Sequence, residues 1–177
     1  DGSLEKMAPR QLNIKISLVR MKNKKKFDID TLLNNILSFK RKDLIIGFTN
    51  GCFDLLHNGH LKLLLESKKK CDYLIVGLNS DTSIKSIKGS NRPIDCEAIR
   101  ITKLSGLEEV DAIIVFSEEN PLKLIKKINP NILFKGSDYN KKDIIGNEFV
   151  VENGGEVVLI DILDGYSTTN TINNLNK

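Results

Sequence analysis

The sequence predicts an α/β protein, a three-layer α/β/α sandwich built on a five-stranded parallel sheet. Five short apolar runs, at residues 44–49, 73–78, 112–116, 132–134 and 157–160, have the length and aliphatic content of strands buried on both faces. The segments between them carry helix-start residues and apolar side chains at helical spacing, so strands alternate with helices. The first two strands are separated by a single helix, a link that suits a right-handed parallel crossover. With 177 residues and 40% hydrophobic content, the chain can bury one core. A single domain over residues 28–177 is expected, behind an N-terminal extension of residues 1–27, with a Rossmann-like sheet at its centre.

Taken in order, Asp1-Gly2-Ser3-Leu4-Glu5 lacks an initiating Met and an apolar signal region. It is read as non-native, with Met7 or Met21 as the native start. Asp28 or Asp30 can cap a helix whose Leu32, Leu33, Ile36 and Leu37 follow the helical period, ending in Lys40-Arg41-Lys42, a cluster that suits a helix C-terminus. The first strand breaks at Asn50-Gly51, and a second helix follows with Leu61, Leu64 and Leu65 expected to face inward. Asn79-Ser80-Asp81 ends the second strand, and residues 86–95 read as a loop punctuated by Gly89 and Pro93. A helix carrying Arg100 leads to the third strand. Asn120-Pro121 then opens another helix, with Asn as cap and Pro as first residue. After the fourth strand come Lys135-Gly136-Ser137-Asp138-Tyr139, one or two short helices within residues 141–152, a turn at Gly154-Gly155 and the fifth strand. A last helix starts within the hydroxyl run Ser167-Thr168-Thr169 and reaches about Asn176. No internal repeat or low-complexity linker is visible.

Composition narrows the function. The net charge of +4 comes largely from Lys24-Lys25-Lys26 and Lys68-Lys69-Lys70, without interleaved aromatics, and reads as solvated surface rather than a nucleic-acid groove. Cys52, Cys71 and Cys96 are too widely spaced for a disulfide framework, which suits a reducing cytoplasm. No run approaches the apolar length of a membrane span. The expected protein is cytoplasmic and binds neither membrane nor nucleic acid.

The chemistry concentrates in GFTNGCFDLLHNGH, which holds both histidines of the chain. A strand, a glycine turn and a helix start leave backbone N–H groups unpartnered, and the helix dipole favours an anion there. His57 and His60, three residues apart, put both imidazoles on one side, and Gly59 lets a ligand approach the backbone. In open parallel sheets ligands bind beyond the carboxyl ends of the strands. Polar clusters follow strands one, two, four and five: residues 49–60, 79–92, 135–139 and 167–169. They bring imidazoles, hydroxyls, glycines and the cations Lys88, Arg92, Arg100 and Lys135 to one rim, a composition suited to polyphosphate. Asp54 and Asp138 are the carboxylates expected to hold Mg²⁺ beside substrate phosphates.

HNGH after TNGCFDLL, with RPIDCEAIR and YSTT downstream, resembles the cytidylyltransferase-like nucleotidyltransferases that carry an HxGH motif. FTNGCFDLLHNGH, LNSD, KGSNRP, FKGSDY and GYSTTNTI, in that order from about residue 43 to 176, look like the adenylyltransferase domain of the ADP-heptose synthases. The resemblance implies the nucleotidylyltransferase fold. It also implies attack by a sugar 1-phosphate oxygen on the α-phosphorus of ATP, with release of pyrophosphate, and a homodimer. His57, His60, Lys88 and Arg100 would then be catalytic. Thr49, Asn50, Gly51, Cys52, Phe53, Asp54, Gly59, Lys135, Gly136, Asp138, Tyr139, Ser167, Thr168 and Thr169 would join the histidines and Arg100 around the nucleotide. Lys88, Arg92 and Asp54 would meet the sugar phosphate. Two departures stand out: Ser137 replaces a second glycine of the family segment, and the fused sugar kinase of some relatives has only a short helical extension in its place. The kinase step is therefore expected of another protein. The alternatives are a cytidylyltransferase using CTP and glycerol 3-phosphate or another small alcohol phosphate, and a non-catalytic nucleotide- or zinc-binding module using His57, His60, Cys52 and Cys71.

Overall fold

The structure is a computed structural model that describes residues 25–162. The chain runs α1 (Ile29–Lys40), β1 (Ile46–Gly51), α2 (Asn58–Lys68), β2 (Tyr73–Asn79), α3 (Asp81–Lys88), α4 (Glu97–Ser105) and β3 (Ala112–Phe116). It continues with α5 (Leu122–Ile128), β4 (Ile132–Gly136), a 3-10 turn (Lys141–Asp143), α6 (Asn147–Glu152) and β5 (Glu156–Ile160). The five strands form one sheet in the order β3-β2-β1-β4-β5, and every pairing is parallel.

Alternation along the strands explains the three layers. Ile75 joins a core with Leu32 and Ile36 of α1, Ile125 and Ile128 of α5 and Val150 of α6. Its neighbours Leu74 and Val76 point the other way, into a core with Leu64 of α2 and Ile101 and Leu104 of α4. Each central strand is thus apolar on both faces, which is why its sequence reads as a continuous run. Gly77 admits Phe48: a Cβ there would stand 2.7 Å from the Phe48 ring.

Local signals explain most boundaries. Asp28 caps α1 by accepting the Thr31 N–H at 2.9 Å. Lys25 and Phe27 run alongside β3, with Phe27 N–H donating to the Ile113 carbonyl at 2.9 Å, so the end of the expected extension joins the sheet. Three expectations are corrected. Residues 86–88 belong to α3, whose start is capped by Ser80 accepting from the Ser83 N–H, so the loop is shorter than polarity suggested. Leu64 is fully buried, but Leu61 and Leu65 are 38% and 42% exposed, because the face of α2 against the sheet is narrow. The helix expected to begin at Asn120 starts at Leu122, with Asn120 Oδ1 accepting the Leu122 N–H at 3.0 Å.

Candidate active site

The strand order reverses at β1, which has β2 on one side and β4 on the other. A cleft of 420 Å³ opens at the carboxyl ends of these strands. Its floor is the turn after β1, where Phe53 and Leu55 adopt positive φ angles of 47° and 53° around Asp54. Non-glycine residues seldom hold that conformation unless their surroundings enforce it.

His57 is the N-cap of α2, in extended conformation, and His60 lies in the first turn. His60 Nδ1 accepts the His57 backbone N–H at 3.4 Å, folding the second imidazole back over the helix start. The two rings stack with centroids 3.7 Å apart and planes 22° apart, and Phe53 backs the His60 ring at 5.1 Å. Burial, helped by the charges of His57 and Lys88, lowers the His60 pKa to about 3. Burial also lowers that of His57. Both imidazoles are therefore neutral at pH 7. With Nδ1 of His60 accepting, its proton resides on Nε2, and the pair acts through N–H donation rather than positive charge.

Positive charge comes from lysines. Lys135 leaves the end of β4, donates through Nζ to the Asn50 carbonyl at 3.1 Å and lies 5.5 Å from the Tyr139 ring centroid. Burial lowers its pKa to about 8, against the opposing pull of Asp138. Lys88, the last residue of α3, lines the opposite flank. Asn50, Gly51, Cys52, Phe53, Gly59, Gly136, Asp138 and Tyr139 also line the cleft, as expected from their motifs. Thr49 does not: it is fully buried within β1.

Three expected ligands turn out to be framework. Arg100 is fully buried. Its Nε donates to the Asp95 carbonyl at 3.0 Å, Nη1 to the Cys52 and Asn79 carbonyls at 2.8 and 2.7 Å, and Nη2 pairs with Asp81 at 2.7 Å. Most of its donors are thereby committed, and Arg100 braces the turn instead of facing phosphate. Asp54 is 1% exposed, pairs with Arg92 Nη2 at 2.7 Å and accepts from the Ile94 and Asp95 N–H groups at 3.0 and 2.9 Å. Burial works to raise its pKa, but the two amides and the Arg92 guanidinium together hold it below the ordinary value. Asp54 does not suit Mg²⁺, and Arg92 is drawn from the substrate to Asp54. Of the two carboxylates expected for a metal, only Asp138 faces the cleft.

Among the described residues no three His, Cys, Asp or Glu side chains gather to hold a metal. Cys71 sits beside Gly47 and Phe134 and donates to the Ser67 carbonyl, so the zinc set of the alternative reading is not assembled. Ser167, Thr168 and Thr169 lie outside the described residues. Sequence reasoning missed Leu63, Asn79 as a lining side chain, Ile87, Glu119, Pro121 and Ile162. Glu119 was within reach, since Ser117-Glu118-Glu119-Asn120 follows β3 as the other clusters follow their strands.

Residues 48–173 match the family described as Cytidylyltransferase-like. The chain belongs to that family. Cytidylyltransferase-like proteins are nucleotidyltransferases, and the cleft lies within the matched span. "Bifunctional protein HldE" of Nitrobacter winogradskyi is 51% identical over 138 residues, 78% of this chain and 28% of that protein. The protein of the same name from Rhodopseudomonas palustris strain BisB5 is 49% identical over 137 residues, 77% of this chain and again 28% of its own length. The chain thus spans just over a quarter of these relatives. A solved structure, the lipopolysaccharide core biosynthesis protein from Thermoplasma volcanium, superposes with a TM-score of 0.58 at 30% identity, covering 68% of this chain and 99% of its own.

Proposed function

We propose that the chain is a heptose 1-phosphate adenylyltransferase, which transfers AMP from ATP to D-glycero-D-manno-heptose 1-phosphate and releases pyrophosphate. The carrying observation is the stacked, neutral His57–His60 pair at the start of α2, flanked by Lys88 and Lys135. The five ordered motifs, the HldE relatives and the lipopolysaccharide-core neighbour support the heptose acceptor.

An oxygen of the sugar phosphate attacks the α-phosphorus in line. A new P–O bond forms, the bond to the β-phosphate oxygen breaks, and that oxygen leaves with pyrophosphate. Negative charge grows on the equatorial and leaving oxygens, so catalysis asks for placed donors more than for a protein nucleophile. His60 Nε2–H and His57 supply neutral donors near the α2 N-terminus, whose backbone N–H groups favour the same charge. Lys135 meets the nucleotide from the β4 flank and Lys88 the acceptor phosphate from the α3 flank. Mg²⁺ would shield the triphosphate charge, with Asp138 as the fitting cleft carboxylate. The working form is a cytoplasmic homodimer.

Pyrophosphate release with ATP, CTP, GTP or UTP against both heptose anomers and glycerol 3-phosphate tests the reading. Release with ATP and one heptose anomer is expected; release with CTP and glycerol 3-phosphate sinks it. The Lys135 charge adds a pH prediction. Because its pKa lies near 8, the free enzyme loses that cation as pH rises, and kcat/KM for ATP falls above about pH 8. Lys135→Met should remove that alkaline limb and lower kcat/KM by about 10- to 100-fold at pH 7, the scale of a charge-assisted contact. A limb that survives in Lys135→Met belongs to another group.

A further inference from the structure

The sheet order divides the cleft into two flanks. Lys135, Asp138 and Tyr139 belong to the segment at the end of β4, whereas Lys88 ends the helix after β2 and Glu119 follows β3. With β1 and the histidines in the middle, Lys88 and Glu119 share the flank opposite the Lys135–Tyr139 pair. Glu119 is exposed to the cleft, and among the described residues no cation is paired with it.

The loop that presents Glu119 is anchored. Ser83 Oγ donates to the Glu118 carbonyl at 3.1 Å, Asn79 Nδ2 donates to Ser83 Oγ at 2.9 Å, and Ser117 Oγ donates to Ser80 Oγ at 2.9 Å. The start of α3 thus fixes the backbone that carries Glu119, while the end of the same helix carries Lys88. A carboxylate beside a phosphate site repels the phosphate, so it favours a ligand that also brings hydrogen-bond donors. Sugar hydroxyls are such donors, and a site built to bond them discriminates strongly against analogues that lack them.

We propose that Glu119 accepts hydrogen bonds from hydroxyls of the acceptor while Lys88 holds its phosphate, making Glu119 a determinant of acceptor specificity. This rests on the nucleotidyl-transfer reading of the same cleft. Glu119→Gln and Glu119→Ala should raise the KM for the sugar phosphate about 10- to 100-fold, with the KM for ATP and the Mg²⁺ requirement unmoved. The difference should shrink with acceptors lacking single hydroxyls. Glu118→Gln, on the same loop but outside the cleft lining, is the control and should keep wild-type constants.

Heptose phosphate turnover with an unmoved acceptor KM in both Glu119 variants overturns this inference alone. A shift confined to Mg²⁺ dependence also overturns it, assigning Glu119 to the metal–phosphate complex. Turnover of a different polyol phosphate by the wild type defeats the heptose reading and leaves Glu119 to be judged by the same variants on that acceptor. No turnover with any phosphate overturns both.

Discussion

His60→Ala should lower kcat by about 100- to 1,000-fold, the scale for removing one transition-state donor. The argument begins with protonation. A ring whose pKa has fallen to about 3 is uncharged throughout the working range, so His60 does not act as a cation that salt would screen. Its Nδ1 is engaged by the His57 N–H, leaving Nε2–H to donate. The wild-type rate should therefore show no limb near the ordinary histidine value of 6.5. His60 also caps α2 and packs on Phe53, so alanine should cost about 1 kcal/mol of stability as well. Urea unfolding beside single-turnover kinetics separates the two effects. If His60→Ala folds and keeps near wild-type single-turnover rates, the donor role is wrong.

Much of this was legible in the chain. Buried parallel strands are apolar on both faces, so all five were visible as runs, and their carboxyl ends located the rim. The histidine turn was legible because its parts are adjacent in sequence. Pairings between distant residues were not. Asp54 and Arg92 each looked like a ligand, and only the fold brings them to 2.7 Å of one another across the 38 positions that separate them. Leu61 and Leu65 carried the right period for α2, but period does not report how much of a helix its sheet covers. Glu119 belongs to no histidine, glycine or lysine motif, and only its place after the carboxyl end of β3 marks it as a rim residue.

Arg100 is where the two kinds of reasoning differ most, and its replacement is the largest stability effect expected. The sequence offers a cation near a phosphate site, but burial decides what the cation does. A guanidinium with no exposed surface must satisfy its donors within the protein, and Arg100 spends them on carbonyls at the turn after β1, the end of β2 and the loop before α4. Arg100→Ala strands those carbonyls and leaves a cavity, a loss of about 3–5 kcal/mol. That is a large part of the 5–15 kcal/mol typical of a domain. Asp81 is 35% exposed on its side chain, and Asp81→Asn keeps an acceptor for Nη2, so it should cost less than about 1 kcal/mol. Urea midpoints of the two variants, read with the KM for ATP, decide between strut and ligand. A large fall in midpoint for Arg100→Ala and a small one for Asp81→Asn fit the strut. An unchanged midpoint with a raised KM would return Arg100 to the phosphates, and would mean that the carbonyls it serves find water or one another without it.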